Sequence, residues 1–479
     1  MGKIHGLMDV GRRGMAVSQA ALNTTSHNIS NKTTEGYSRQ RVDIETNPAV
    51  DTGNHRMGTG SKIGSISRTN SPWLEKQLER EGSEFSFLDS KAGALGRLEG
   101  AMNEQSIKGL NNAISEFFNS FREVANNPES AVPRTQVRET ARQLIRNFQD
   151  ATMQIKSVES ELNKNVAANI SEVNTLASDV AKMNEKIMQV EITGANANDE
   201  RDKRDMLVKK LSEKIDISYA EDSSTGMINV NAGKTAVLVA GTSSTSMKSH
   251  FLPDGSAQIF TQPGGEGGGQ FDVTEQFKRG SVGAALDVRS GSVATMLNDL
   301  NDLAYSIASE VNTIHSEGFD RYNQQGVDFF DLGLKYDEDG KTVGDFSIDS
   351  LKVNKQIDKD VGRIAVASKP NAPGDNTVAN ALHSLQFKTV MANGKNTFDD
   401  FYNQKVAEVG LLAKQTNSEL ESQRFSVGQL KNMRESLSGV SIDEEAAKMI
   451  EFQKSFEASA RMIKVADEMF DTILNLKRF

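Results

Sequence analysis

No glycine or proline interrupts the chain between Arg134 and Thr193, and this feature constrains the fold more than any other. Pro133 suits the first turn of a helix and Gly194 suits a helix end. Apolar side chains recur within the stretch at alternating steps of four and three. The seam comprises Val137, Ala141, Leu144, Phe148, Ala151, Ile155, Val158, Leu162, Val166, Asn169, Val173, Leu176, Val180, Met183, Ile187 and Val190. Such a seam is typical of a coiled coil, and the helix would be about 90 Å long. The pattern predicts a rod-like molecule and disfavours a compact enzyme.

Further helices are predicted at both ends of the chain and beside the long one. The same spacing appears at roughly 3–30, 107–124, 293–315, 402–437 and 442–476. Gly11, Ser18 and Thr25 occupy apolar positions of the first of these helices, so it needs a partner to be stable. The last begins after Ser441, and Glu444 three residues later completes the pattern of a capping box.

The residue pattern changes in two regions between the helices. Residues 215–279 contain short alternating runs separated by Gly and Ser, which predicts a small β region. Residues 319–396 are rich in Asp, Asn and Gly, with strand-like pieces such as DFSIDSLKV and VGRIAVAS. The predicted fold class is mainly α with β excursions, in an elongated, multi-domain rod. The predicted domains are a terminal helical domain (1–70 plus 441–479), a long-helix rod (71–214, 280–318 and 397–440), a β-rich region (215–279) and a reduced outer excursion (319–396).

The composition excludes several classes of function. The chain has no cysteine, which rules out disulfides, thiolate metal sites and cysteine nucleophiles. A net charge of −10 argues against nucleic-acid binding. No apolar run reaches the length of a membrane span, and the N-terminus lacks the apolar core of a cleaved secretion signal. On these features alone, the default expectation is a cytoplasmic protein.

Motifs that suggest chemistry fail at positions that the chemistry needs. NAGKT (231–235) lacks the first Gly of a phosphate-binding loop, because that position is Ile228, and a β-turn is expected there. YDEDGKTVGDF (336–346) lacks the terminal ligands of a calcium loop, and GTGSKI (58–63) is interpreted as a glycine-rich loop. No histidine belongs to a ligand pair, and His315 is expected to pack or cap at a helix end. We therefore predict no catalytic residues, no metal and no cofactor.

The segment ALNTTSHNISNKTTEGYSRQ (21–40) is unusually rich in Asn, Ser and Thr for the end of a helix. It resembles the N-terminal signature of the bacterial flagellar rod, hook and hook-associated axial proteins. The matching residues are Asn28, Ile29, Ser30, Asn31, Gly36, Tyr37, Ser38, Arg39 and Gln40. Read without the resemblance, the segment is an ordinary helix stop, since Asn and Ser bond the free backbone groups there.

The C-terminal segment SGVSIDEEAAKMIEFQKSFEASARMIKVADEMFDTIL (438–474) resembles the C-terminal signature of the same family, in the branch found at the junction of hook and filament. Ser441 and Ile442 stand where that branch usually has Asn and Leu. Internal segments are similar as well: DKRDMLVKKLSEKIDIS (202–218), GSVGAALDVRSG (280–291), NTIHSEGFD (312–320) and GVDFF (326–330). The resemblance is weakest at about 331–370, where larger relatives carry more outer sequence.

The resemblance implies a structural adaptor that joins the flexible hook to the rigid filament. It implies export through the flagellar channel to an extracellular location, assembly with copies of itself, and contacts with hook protein, hook-associated protein 3 and an export chaperone. Two alternatives remain: another axial protein, such as hook protein or hook-associated protein 3, and a cytoplasmic coiled-coil scaffold. The expected N-terminal assembly interface comprises Leu22, Asn28, Ile29, Asn31, Gly36 and Tyr37. The expected C-terminal assembly interface comprises Met449, Phe452, Phe456, Ile463, Phe470 and Ile473.

Overall fold

The computed structural model describes residues 2–52, 55–102, 109–252, 257–262, 270–336, 342–343 and 346–476. The predicted fold class is confirmed: the chain is mainly α with small sheets. The helices are α1 (Gly2–Ser30), α2 (Pro72–Met102), α3 (Leu110–Asn126), α4 (Ala131–Glu191), α5 (Asn198–Lys214), α6 (Gly280–Val288), α7 (Ala294–Ser316), α8 (Lys355–Lys359), α9 (Thr377–Ser384), α10 (Phe398–Ser438) and α11 (Ile442–Leu476). We call α1 and α11 the terminal pair, and the bundle of α2 to α7 with α10 the rod.

The strands form small antiparallel sheets. They are β1 (Gln40–Thr46), β2 (Val50–Thr52), β3 (His55–Met57), β4 (Ser61–Arg68), β5 (Ile217–Glu221), β6 (Ile228–Ala232), β7 (Ala236–Ala240), β8 (Ser243–Ser244), β9 (Ser246–Phe251), β10 (Ala257–Gln262), β11 (Phe271–Asp272), β12 (Phe330–Asp331), β13 (Lys335–Tyr336), β14 (Thr342–Val343) and β15 (Lys352–Val353). Strands β5 to β8 pair in chain order, and β10 lies between β9 and β11. Strands β5 to β11 lie within 217–272, and NAGKT contains the end of β6 and the turn that leads to β7.

The long helix α4 forms as the sequence predicts. The Ser130 side chain caps its first turn by accepting from the Val132 amide, and Gly194 follows the helix end with a φ of 84°. The predicted seam is correct as far as Val166. Beyond it, three expected positions, Asn169, Met183 and Val190, are half-exposed. The buried positions there are Ile170, Val173, Leu176, Ala177, Val180, Ala181, Asn184 and Ile187. The reason is that a straight α-helix drifts by about 20° per heptad from a strict 3.5-residue repeat.

The rod contains one long helix that the periodicity did not reveal. Helix α2 packs along α10 in the antiparallel direction, with Arg434 Nε 2.7 Å from Glu75 Oε1 and Gln423 Nε2 donating to the backbone oxygen of Glu81 at 3.0 Å. Glycines within α2 dilute its apolar pattern. Near the other end of the rod, aromatic rings from α3 and from the GVDFF segment form a cluster. It comprises Phe117, Phe118, Phe121, Phe329 and Phe330.

The two outer regions differ from expectation. Residues 40–68, within the range predicted as a terminal helical domain, contain β1 to β4, and the supposed loop GTGSKI runs into β4. Between 319 and 396, most of the predicted strand pieces are short helical turns, with β15 as the remaining strand of DFSIDSLKV. Side-chain turns explain this preference: Ser347 and Asp360 accept hydrogen bonds from amides two residues ahead. The glycine-rich segment GGEGGG (264–269) and most of YDEDGKTVGDF lie outside the described residues.

The terminal pair is antiparallel and approaches closely through small residues. A Cβ atom added to Gly11 would lie 2.7 Å from Ile463 Cγ1 and 3.2 Å from the Ser459 backbone oxygen. The Ser18 hydroxyl donates to Ser455 Oγ at 3.2 Å. The Gly and Ser positions that weaken the apolar stripe of α1 are therefore the positions where α11 comes nearest.

His315 is a packing residue with a defined tautomer. It is fully buried, and the Ala365 amide donates to its Nε2 at 2.8 Å, so that nitrogen carries no proton. Its Nδ1 then donates to the Val327 carbonyl at 2.6 Å. Burial lowers the pKa of His315 to about 4, against a weaker opposing effect of the Val327 hydrogen bond.

We expect Gly11→Leu to separate the terminal pair. The added side chain overlaps Ile463 and the α11 backbone, and overpacking of this kind costs about 1–3 kcal/mol. Gly6→Leu is the matched control, because nothing lies within 4 Å of a Cβ at Gly6. Limited proteolysis should cleave within α1 faster in the Gly11 variant and not in the Gly6 variant. Equal cleavage of the two variants would contradict the close packing.

We expect His315 to make the region around 318–367 sensitive to acid. The folded pKa of about 4 lies below the unfolded value of about 6.5, so the contribution is complete above pH 6.5 and is lost as the pH falls through 4. The loss amounts to about 3 kcal/mol. Hydrogen exchange of this region at pH 7.5 and pH 4.5 measures it. His315→Phe should reduce the difference between the two pH values, and an unchanged difference would refute the assignment.

Candidate functional site: a polar joint between the terminal pair and the rod

The end of α1, the turn that follows it and the start of α11 meet the rod at one polar cluster. We call this cluster the polar joint. It comprises Asn28, Tyr37, Ser38, Arg39, Gln40, Arg68, Asp199, Asp202 and Glu445. The turn is possible because Gly36 adopts a φ of 81°, and it packs against Met206 of α5.

Asn28 uses its whole side-chain amide in the polar joint. Its Nδ2 donates to the Gln40 carbonyl and to Glu445 Oε2, both at 2.9 Å. Its Oδ1 accepts from the Gln40 amide at 2.9 Å and from the Tyr37 hydroxyl at 2.7 Å. The residue is 1% exposed. An amide is the side chain that offers two donors and two acceptors in a plane, so Asn fits this position and a carboxylate does not.

Glu445 is the buried charge of the polar joint. It is 1% exposed, and its Oε1 accepts from Arg39 Nε at 2.8 Å while Arg39 Nη2 lies 2.7 Å away. The neighbouring Glu444 also reaches Arg39, at 3.1 Å, but its side chain is 62% exposed. A buried carboxylate is tolerated only when it is paired and hydrogen-bonded, as Glu445 is by Arg39 and Asn28.

Tyr37 and His27 have fixed hydrogen-bonding roles. Because Asn28 Oδ1 can only accept, the Tyr37 hydroxyl donates to it, and His27 Nδ1 must then donate to the Tyr37 oxygen at 3.0 Å. Burial, and then the charges of Asp199, Asp202 and Glu445, raise the pKa of Tyr37 far above its usual range. The phenol therefore stays protonated and remains a donor.

The first turns of α5 supply the rod side of the polar joint. Asp199 Oδ1 accepts from Gln40 Nε2, and Asp202 Oδ2 accepts from the Ser38 amide, both at 2.7 Å. Arg68 Nη1 bridges Asp202 and Asp205 at 2.8 Å and 2.7 Å. Burial raises the pKa of Asp202, while Arg68 and the Ser38 amide oppose that shift.

Helix α10 closes the polar joint from the other side. Arg434 Nη2 donates to the Gly36 carbonyl at 3.2 Å, and the Arg39 amide donates to the Ser438 carbonyl at 2.9 Å. A mixed-charge cleft of about 410 Å³ lies beside these contacts. Since α5, α10, β4 and both terminal helices contribute, the arrangement couples the direction of the terminal pair to that of the rod.

The predicted N-terminal interface residues separate into two groups. The first group belongs to the polar joint and comprises Asn28, Gly36 and Tyr37. The Asn31 side chain lies at the C-terminal end of α1, where it donates to the His27 carbonyl at 3.0 Å. Leu22 and Ile29 are half-buried on α1, and neither belongs to the polar joint.

The predicted C-terminal interface residues lie along α11 and do not reach the polar joint. Most are half-buried, whereas Ile473 is exposed. The half-buried set comprises Met449, Phe452, Phe456, Ile463 and Phe470. Phe470 contacts α1, since its ring and that of His5 have centroids 5.8 Å apart.

The central charges of the site were not predicted from the sequence. Glu444 was selected as a capping residue, whereas Glu445, Asp199, Asp202 and Arg68 were not selected. The available signal was the family-like segment at 202–218, whose first residue is Asp202. In the described ranges, no cluster of three or more potential metal ligands occurs. None of the helices described has both the length and the apolar character needed to span a bilayer.

Comparisons with known proteins agree along the length of the chain. A sequence model of the flagellar hook-associated protein FlgK helical domain matches residues 95–330, and one of the flagellar basal body rod FlgEFG protein C-terminal region matches residues 435–476. Flagellar hook-associated protein 1 of Bacillus subtilis (strain 168) is 28% identical, over 98% of this chain and 97% of that protein. The protein of the same name from Salmonella typhimurium is 25% identical, over 97% of this chain and 98% of that protein.

A solved structure supports the fold. The flagellar hook junction protein FlgK from Burkholderia pseudomallei matches with a TM-score of 0.66 and 17% identity, over 76% of this chain and 100% of that chain. The resemblance noted from the terminal signatures is thereby confirmed. The helical-domain match, the full-length relatives and the shared fold lead to one conclusion: over almost its whole length, this chain is similar to flagellar hook-associated protein 1.

Proposed function

We propose that this protein is a structural component of the bacterial flagellum that joins the hook to the filament. The observation that carries the proposal is the full-length likeness to proteins named flagellar hook-associated protein 1. The polar joint adds support, because the N-terminal signature, the C-terminal signature and the 202–218 segment meet there. Three segments that lie far apart in the sequence thus form one connection between the terminal pair and the rod.

The mechanical role follows from the mismatch between the two neighbours. A flexible hook and a rigid filament are built from different subunits, so an adaptor needs two different contact surfaces. Such contacts are heterologous, and they continue around a helical assembly without pairing off as a closed dimer does. The terminal pair would lie near the axis and the rod farther out, with the polar joint keeping a constant angle between them.

Location and partners complete the proposal. We place the protein outside the cell, in a short zone between hook and filament, after export through the flagellar channel. Its partners would be copies of itself, hook protein below, hook-associated protein 3 above and an export chaperone before assembly. The proposal includes no catalytic activity and no cofactor, because each candidate motif lacks a residue that its chemistry requires.

The assembly surface of the terminal pair would be the outer side of α11. Exposed apolar residues continue along it: Ile442, Ile450, Val465, Met469, Ile473 and Leu474. Fully burying one such side chain is worth about 1.5–3 kcal/mol. We propose that adjacent subunits cover these residues, and that the half-buried set from Met449 to Phe470 contributes its remaining exposed area.

Deleting the gene should leave cells with hooks but without filaments, and filament subunits should appear in the medium. Electron microscopy and analysis of the culture supernatant measure the two effects. The full chain supplied from a plasmid is the control and should restore filaments. Immunogold labelling should mark a short band at the end of the hook. Normal filaments in the deletion strain, or label along the whole hook, would contradict the proposed function.

Adjacent glutamates provide a matched test of the polar joint. Glu445→Gln removes the buried charge opposite Arg39 and should reduce the stability of the terminal pair by about 3 kcal/mol, since it leaves a desolvated cation with a weaker partner. Glu444→Gln removes an exposed partner of the same arginine and should cost less than about 1 kcal/mol.

Hydrogen exchange of α1 and α11, together with filament counts, measures both variants. We expect lost protection and fewer filaments for Glu445→Gln alone. Two variants with the same effect would mean that the burial of Glu445 is unimportant.

A further inference from the structure

Helix α10 has two seams of identical spacing on different sides. The inner seam, which includes Val409, Ala413, Thr416, Leu420 and Val427, is buried. A second set recurs at alternating steps of four and three on the exposed side, and we call it the outer seam. It comprises Leu411, Gln415, Ser418, Ser422, Phe425, Gln429, Asn432 and Ser436. The chain therefore repeats, on its surface, the geometry it uses for packing against a helix.

The outer seam contains no charged residue, although charged residues make up 25% of the chain. Leu411 and Phe425 are 67% and 68% exposed, and Met433 and Leu437 extend the apolar surface beside the seam. Surfaces that face only water are normally charged, whereas the centres of protein interfaces lack charge and are enriched in aromatic residues and Met. The composition indicates a docking surface.

The spacing and polarity of the outer seam limit its occupant. Heptad spacing fits a helix laid along α10. Ser, Gln and Asn at most positions lower the strength of the contact, which suits a seam that forms only when many copies are held together. Copies of a chain with net charge −10 repel one another, and an uncharged seam is where they meet at the lowest electrostatic cost.

Helix α4 offers a complementary surface with the same spacing. Its outward positions are Met153, Ser157, Ser160, Lys164, Ala167 and Ser171, which are exposed or half-exposed. Small side chains there leave room for Phe425 and Leu411. The single charge on this surface is Lys164. Exposed charges of both signs flank the outer seam, as is usual at the edges of a helix pair: Lys414, Glu419 and the ion pair of Glu421 with Arg424.

The positions of the two surfaces suit repeated assembly. Helix α2 packs against both α10 and α4, so the outer seam and the α4 surface are two separate surfaces of one rod. A contact between unlike surfaces can continue from copy to copy.

We infer that, in the assembled protein, the outer seam of α10 packs along α4 of a neighbouring copy. This inference rests on the proposed function and adds the surface through which the rods of adjacent subunits touch. It involves residues on neither the terminal pair nor the polar joint.

The absence of cysteine makes disulfide trapping a clean test. Ser422→Cys is combined in turn with Ser157→Cys, Ser160→Cys or Ser171→Cys, which scans the register of the two helices. After oxidation of isolated flagella, at least one double variant should give a ladder of dimers, trimers and larger species. Each single variant should remain monomeric. Dimers from Ser422→Cys alone, a cross-link to a different protein, or no cross-link in any combination would each overturn the inference.

Phe425→Glu tests the same contact without cysteine chemistry at that position. Phe387→Glu is the matched control, because Phe387 is 69% exposed and Phe425 is 68% exposed. In the cross-linking double variant, Phe425→Glu should lower the cross-linked fraction at least tenfold, and Phe387→Glu should leave it unchanged. Thermal unfolding of both purified variants should match the parent. If the Phe425→Glu variant still forms the cross-link, the inference is wrong. The deletion strain tests the proposed function independently of this result.

Discussion

The ion pair between Glu445 and Arg39 is the interaction on which the architecture depends. Glu445 comes from the start of the last helix, and Arg39 from the turn after the first. Asn28 satisfies the second oxygen of the carboxylate while it also fixes that turn. Removing a charge from water costs several kcal/mol, and the pair with its hydrogen bonds offsets that cost only in this geometry. The orientation of the terminal pair is thus specified as well as stabilised.

Stability is distributed unevenly between the two parts of the molecule. The rod has a continuous buried core that extends from α2 through the β region to the outer excursion. The terminal pair instead meets through glycine and serine at its closest points and leaves apolar residues of α11 exposed. Little apolar area is buried between its two helices alone. The pair is consequently the part of the molecule with the least stabilisation from its own core.

Long uninterrupted helices could be predicted from the sequence, because α4, α7 and α10 keep their spacing over many turns. Helix α2 could not, since Gly82, Gly93, Gly96 and Gly100 weaken its pattern. The strands at 40–68 could not be predicted, because they are partly exposed and their apolar and polar residues do not alternate regularly. For the candidate site, the family signature made it possible to predict Asn28 and Tyr37 from the sequence. The burial of Glu445 could not be predicted, because a carboxylate in the first turn of a helix is usually explained by its interaction with the helix dipole.

The pairing of Asn28 with Glu445 joins residues 417 positions apart in the chain. Closing so long a loop is entropically unfavourable and slow when the intervening chain is unfolded. Once the rod has folded, the turn at Gly36 and the end of α10 are already neighbours, and the effective loop becomes short. We therefore expect the terminal pair to form after the rod. Folding of the rod then controls the rate at which α1 and α11 can pair, because it shortens the loop that their contact has to close.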